Sequence, residues 1–259
     1  MSSKTVYKAI DILDSFTCET PTWGLRELAR KLEMSHTIVH RILSTFEERG
    51  YVFRNPNTQK YELGIKLLEL SKVVEENLKL PELIHPIMKK LALETEESIV
   101  LTMLDNNEGL FVKIIESKQQ VRFAESVGKR SPLYVGASHK VILAYMSPEI
   151  QNRIIDLGIE RDAPQLKSKE KIIETLESIR KQGWFYTTAE TFQDVSAVAV
   201  PLFDSNGKIF GSISVAGPSY RLDHKKVLPI LQKYQLDIDS ILNKISIPTR
   251  RNPNMIKLI

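Results

Sequence analysis

Residues 25 to 52 read LRELARKLEMSHTIVHRILSTFEERGYV, and how this stretch divides decides the fold of the first part of the chain. Leu25, Leu28, Ala29 and Leu32 share one helical face. Ser35 stands where an N-cap belongs, so a further helix is expected from about His36 to Arg49, with Gly50 as its C-terminal cap. Val39, Ile42, Leu43 and Phe46 then fall at i, i+3, i+4 and i+7, one apolar stripe facing a core. At about 100° per residue, Thr37, Arg41, Ser44 and Glu48 point the opposite way. Ile38 and Thr45 flank that face on one side and His40 on the other, while His36 lies on the first turn. Such a face suits a DNA major groove, where Arg pairs with guanine through two hydrogen bonds and Ser or Thr bonds bases or phosphates. On an isolated helix the same residues read as a solvated surface, so the surroundings must weigh in.

Upstream, KTVYKAIDILDSFT (4–17) carries Val6, Ile10, Leu13 and Phe16 at helical spacing, and PTWG then breaks the chain. Downstream, YVFR (51–54) and KYELG (60–64) are strand-like runs around the turn-rich NPNTQ. Three helices followed by a hairpin make a winged helix-turn-helix over residues 1–63. Arg54 and Lys60 at the base of the hairpin are placed to meet phosphates. Bulk charge contributes little to this reading. The chain is only +4, and residues 1–63 hold nine Lys/Arg against eight Asp/Glu. His36 and His40 have the spacing of a zinc-binding helix, but Thr37 stands where such helices carry Glu, and no metal is expected. Cys18 is the only cysteine, which excludes an internal disulfide and a cysteine metal cluster.

IKLLELSKVVEENLKL (65–80) is a charged amphipathic helix, read as a linker over 64–80. From Pro81 the pattern changes, and residues 81–247 are read as a second domain. PELIHPIMKKLALETEE is helical; SIVLTMLD, GLFVKIIES and QQVRFAESV read as strands. GASHKVILAYM, PEIQNRIIDL and SKEKIIETLESIRKQG read as helices, WFYTTAE, VSAVAVPLFD and KIFGSISVAGP as strands, and a last helix begins near Asp223. Strands in two runs among helices argue for an α+β fold with a mostly antiparallel sheet. The tail 248–259 shows no pattern. No apolar run approaches the roughly 18 residues of a membrane span, and no signal-peptide block opens the chain; a cytoplasmic protein is expected.

In the second domain Gly136, Ala137 and Ser138 precede an apolar helix. Free N–H groups at a helix start bind anions, and glycine permits close approach; a plain N-cap by Ser138 is the competing reading. Glu190 and Asp194 fall in a loop between strands, where solvated carboxylates are the default. Ser212 and Ser214 alternate in phase, so both face one side of the sheet. Trp184, Phe185, Tyr186 and Phe192 read as core. Ser138-His139 invites a hydrolase reading, with Ser138 as nucleophile. The string is G-A-S-H-K rather than G-x-S-x-G, and neighbours on a helix are not expected to face each other. No phosphate loop or dinucleotide fingerprint is present, and no enzyme or cofactor is expected.

The opening stretch followed by YELG resembles the DNA-binding domain of the IclR-type bacterial transcriptional regulators. SPLYVGASHKVILAYM, IRKQGWFYTTAE and VSAVAVPLFDSNGKIFGSISVAGPSYR are similar, in order and spacing, to that family's effector-binding domain. The resemblance implies a PAS- or GAF-like sensor domain that binds a small metabolite. It implies binding to double-stranded operator DNA as a homodimer or dimer of dimers, more often as a repressor. It also places effector contacts of carboxylate-binding relatives on Gly136, Ala137, Thr187, Ala197, Ser214 and Ala216. There are departures: His139 stands where the family usually has Gly, Thr187 replaces an acidic residue and Ala216 a hydroxyl. The effector expected from these features is a small organic acid, a sugar acid or an aromatic acid, with its carboxylate near Gly136 to Ser138.

Overall fold

A computed structural model describes residues 2–78, 80–162 and 168–244; the tail and the expected end of the second domain at 247 lie outside them. The chain divides into two compact units, Met1–Lys79 and Leu80–Ile259. Leu80, placed by sequence at the end of the linker, is buried in the core of the second.

The first unit runs α1 (Lys4–Asp14), β1 (Thr22–Trp23), α2 (Leu25–Lys31), α3 (His36–Glu48), β2 (Val52–Arg54), β3 (Tyr61–Leu63) and α4 (Lys66–Leu78). Helix α3 starts where the Ser35 hydroxyl accepts from the Ile38 N–H, and it stops at Gly50, whose φ of 75° is open to glycine at little cost. Glu27 reaches back from α2 to accept from the Gly24 N–H at 2.9 Å. Val39, Ile42 and Leu43 pack with Leu28, Ala29 and Ile12, while Phe46 is only half-buried. PTWG does more than break the chain: Thr22 and Trp23 form a strand against β3, giving a three-stranded sheet in the order β1-β3-β2. In α1 the residues at helical spacing part company: Leu13 and Phe16 meet the core, and Val6 and Ile10 do not. Ile12 and Phe16 are buried, whereas Val6 and Ile10 are exposed together with Tyr7. The helix has two apolar stripes, and periodicity alone does not say which one meets the core.

The second unit runs α5 (Leu80–Thr95), β4 (Ser98–Asp105), β5 (Glu108–Ile115), β6 (Arg130–Pro132), α6 (Ala137–Ala144), α7 (Pro148–Asp162), α8 (Lys169–Gln182), β7 (Phe185–Thr188), β8 (Val195–Phe203), β9 (Ile209–Pro218) and α9 (His224–Leu242). The strands form one sheet in the order β6-β5-β4-β9-β8-β7, antiparallel at every pairing. Alternation along the strands sorts the faces. Ile99, Leu101, Val198, Val200, Ile213 and Val215 pack with α5 and α9. The other face is small: Ala197, Ala199, Ser212, Ser214 and Ala216. Against it lies α6, buried along its whole length.

The run QQVRFAESV is not a strand. Its alternation is real, but side chains take its backbone groups one by one. The Ser98 hydroxyl donates to the Phe123 carbonyl at 2.8 Å, and Arg221 donates to the Val121 carbonyl at 3.0 Å. Arg221 also grips buried Glu97 through two hydrogen bonds, of 2.5 and 2.8 Å. Removing Arg221 strands a buried carboxylate, which costs about 3–5 kcal/mol. Urea unfolding of Arg221→Ala is therefore expected to show a loss of that size, and Glu97→Gln in the same background to recover part of it.

Candidate functional site

In the first unit α3 turns Thr37, Arg41 and Ser44 outward, with His36, His40 and Thr45 also exposed. The Arg41 guanidinium has no hydrogen bond or ion pair among the described residues. Ile38, expected on the flank, is half-buried against the core. The Thr45 hydroxyl donates to the Arg41 carbonyl at 3.0 Å. Lys60 pairs with Glu27 at 3.2 Å, and Arg54 donates to the Gln59 carbonyl at 3.4 Å while its guanidinium lies 5.7 Å from the Tyr61 ring centre. Both wing cations are thus oriented by neighbours. Lys60's partnership with a residue thirty-three positions earlier left no local sequence signal. The described residues contain no cluster of three or more His, Cys, Asp or Glu able to hold a metal. They also contain no helix long and apolar enough to cross a membrane.

In the second unit a cavity of about 40 Å³ lies between the start of α6 and the small-residue face of the sheet. Gly136, Ala137, Ser138, Thr187, Glu190, Ala197, Ser214 and Ala216 all line it. Asp194 does not; it is exposed, with φ of 61°. Sequence reasoning missed Val100, Phe111, Phe123, Thr191 and Val195 in the walls. Their strand register brings Val100 opposite Ser214 and Val195 onto the end of β8, information absent from local pattern. Phe192, expected in the core, is 36% exposed and packs edge-on against Phe123.

Gly136, not Ser138, is the N-cap of α6, with φ of 81°. The N–H of Gly136 donates to Glu190 Oε2 at 3.1 Å. Lys140, one turn in, donates to both oxygens of the same carboxylate, at 2.8 and 2.6 Å. Glu190 is therefore no solvated loop residue. The N–H groups of Ala137, Ser138 and His139 have no acceptor among the described residues. Ser212, in phase with Ser214, donates its hydroxyl to the Ser138 carbonyl at 2.8 Å and so ties α6 to the sheet.

The Ser138 and His139 side chains, expected to diverge, meet at 3.0 Å between Oγ and Nδ1. The imidazole is pinned by burial, and His139 Nε2 has no hydrogen-bond partner, so no third group orients it. Burial pushes its pKa from 6.5 down to about 4; the Gly109 backbone, near but outside hydrogen-bonding geometry, opposes the shift. Room for this ring comes from Gly109, where a Cβ would overlap it.

Comparison with known proteins identifies the domains that carry these residues. Residues 72–240 match the family model for the bacterial transcriptional regulator IclR C-terminal domain, and residues 5–56 match the IclR helix-turn-helix domain. The chain belongs to the IclR family of transcriptional regulators. It is 30% identical over 237 residues to the transcriptional regulator KipR of Bacillus subtilis, covering 89% of this chain and 92% of the relative. The transcriptional repressor IclR of Escherichia coli is 22% identical over 228 residues, 86% of this chain and 83% of that one. A solved IclR homologue from Microbacterium hydrocarbonoxydans, complexed with 4-hydroxybenzoate, superposes with a TM-score of 0.80 at 20% identity over 93% of this chain and all (100%) of that one. As in other IclR regulators, a helix-turn-helix domain that binds DNA precedes an effector-binding domain, and the named relatives are regulators rather than enzymes.

The depressed pKa of His139 has a consequence for this IclR chain. Above pH 6.5 the ring is neutral folded or unfolded and adds no pH dependence. Between 6.5 and about 4 the unfolded chain takes a proton that the folded one refuses, so stability falls as pH drops, by roughly 3 kcal/mol in full. Asp239, raised by burial to about 6, works in the opposite direction, losing stability as pH rises through that value. His139→Gln leaves Asp239 in place, so unfolding curves of the two proteins isolate the histidine. The wild type is expected to lose about 3 kcal/mol more than the variant on going from pH 7 to 4; parallel curves would refute the assignment.

Proposed function

We propose that the chain is a repressor that binds a near-palindromic operator as a dimer and is controlled by a small carboxylate-bearing effector. The observation that carries the DNA reading is the outward Thr37-Arg41-Ser44 row, with an Arg41 guanidinium that nothing else in the described chain engages. Arg41 reads a guanine edge, Thr37 and Ser44 contact bases or phosphates, and Ser35, His36, His40 and Thr45 lie within reach of the backbone. Arg54 and Lys60 on the wing meet phosphates, and Ile38 supports the helix from behind. Two copies of α3 would enter successive major grooves about 34 Å apart. Repression is supported by the relative named as a repressor and by the simplest use of such a dimer, occupying a promoter until an effector releases it.

The dimer is supported by apolar surface that single units rarely expose. Val6, Tyr7 and Ile10 stand out from α1, and Leu68 and Leu70 from α4. An acidic effector is supported by the free N–H groups at the start of α6, by the Thr187 and Ser214 hydroxyls beside them, and by the solved relative that holds 4-hydroxybenzoate. Val100, Phe111, Ala197 and Ala216 would wall its apolar part. The acid changes DNA affinity only through its unequal affinity for the DNA-bound and free forms.

Footprinting against the chain's own upstream region, followed by titrations across salt concentrations, tests the DNA reading. Arg41→Ala is expected to weaken specific binding by about 1–3 kcal/mol and to leave non-specific binding nearly unchanged; unaltered operator affinity would remove Arg41 from the reading face. Sedimentation of Leu68→Glu is expected to show monomer where the wild type is dimeric, and a dimer unmoved by that charge would exclude α4 from the interface.

A further inference from the structure

We propose that Glu190 is an internal competitor of the effector. Its carboxylate sits on the Gly136 N–H and the Lys140 ammonium, beside the free N–H groups of Ala137 to His139, so an effector carboxylate that takes those N–H groups together with Lys140 displaces Glu190 and releases the loop between β7 and β8. This rests on the reading of the cavity as a carboxylate site.

The charges set up the exchange. The Lys140 side chain is 11% exposed, and Glu190 is its only ion-pair partner among the described residues. An ammonium this buried needs an anion beside it, the more so near the positive end of a helix. Either carboxylate can satisfy that need. Glu190 is the better placed to leave, since its side chain is 26% exposed and sits on a surface loop. The departing anion gains water as the arriving one loses it, and the pairing of Lys140 is conserved throughout.

Space makes the exchange necessary. About 40 Å³ is room for a few water molecules, short of the several hundred cubic ångströms of an ordinary ligand pocket. An organic acid enters only if a wall gives way. Helix α6 and the strands are packed on all sides, whereas Glu190 and Thr191 close the cavity from a six-residue loop, 189–194, whose Phe192 packs on the wall residue Phe123. That loop is fixed at its base by the Ala189 N–H to the Val195 carbonyl, 2.8 Å, and carries Ala189 and Asp194 at φ of 56° and 61°. Side chains other than glycine hold such angles at a cost, which favours release, while the Ser219 N–H on the Asp194 carbonyl and the Phe192–Phe123 contact hold the far end of the loop and limit the movement to its Glu190 end.

The test is calorimetric titration of wild type, Glu190→Gln and Lys140→Met with benzoate, 4-hydroxybenzoate, pyruvate and gluconate, each beside its primary amide. Glu190→Gln keeps an oxygen for the Gly136 N–H but leaves Lys140 without its anion. An acid that binds is expected to do so about tenfold more tightly to this variant than to wild type, and about tenfold more weakly to Lys140→Met, with the amides inert. Hydrogen exchange on the unmutated protein gives a second readout: acid binding is expected to speed exchange of the amides in 189–194. An acid that binds wild type and Glu190→Gln equally, or that slows exchange in the loop, overturns the competitor and leaves the carboxylate reading intact. If no acid binds any of the three proteins, the carboxylate reading falls, and the competitor with it.

Discussion

Helix α6 is buried along its whole length, and most of what is particular to the second unit follows from that. A helix without a solvent face must lie on a surface that yields space. The sheet supplies it with Ala197, Ala199, Ser212, Ser214 and Ala216. It must also dispose of every polar group it carries. The Ser138 carbonyl receives the Ser212 hydroxyl, Lys140 takes Glu190, and His139 stays neutral in a gap that Gly109 leaves open. What these provisions do not cover is the row of N–H groups at its start. The cavity lies there because small side chains below and an incompletely satisfied helix end above leave something to bind.

The first unit meets a milder form of the same constraint. Its helices are amphipathic, so one face of α3 closes the core and the other carries Arg41 to the surface. A side chain with no partner among the described residues is available to pair with something else. The wing cations differ, being held by Glu27 and Gln59. Their orientation is set within the fold, so the phosphate contacts proposed for them would cost less conformational entropy.

How far the sequence could be read follows from which signals are local. The division of residues 25–52 into two helices, the Ser35 cap, the Gly50 stop and the hairpin beyond are written in short-range chemistry, and all stand in the structure. Most of the cavity residues were likewise legible, partly from the run GASHK and partly from a family resemblance. Reading failed where a residue's partner lies far along the chain. Glu190 looked like a loop carboxylate because Lys140 is fifty positions away. Phe123 looked like part of a strand because Ser98 and Arg221, which take the backbone groups of its segment, lie 25 and 100 positions from the residues they reach. Ser138 and His139 were expected to point apart, yet confinement brings their side chains together.

The sequence by itself determined most of the element types, the two-part architecture and the antiparallel sheet, because these rest on periodicity, caps and turn residues that act within a few positions, while the family came from the resemblance of whole motifs in order. Only the tertiary structure decided which apolar residues of α1 are buried, which charges are already paired and how large the cavity beside α6 is. Those depend on side chains that meet across strands and loops, where burial changes the cost of a charge and an opposing residue as small as Gly109 decides what fits.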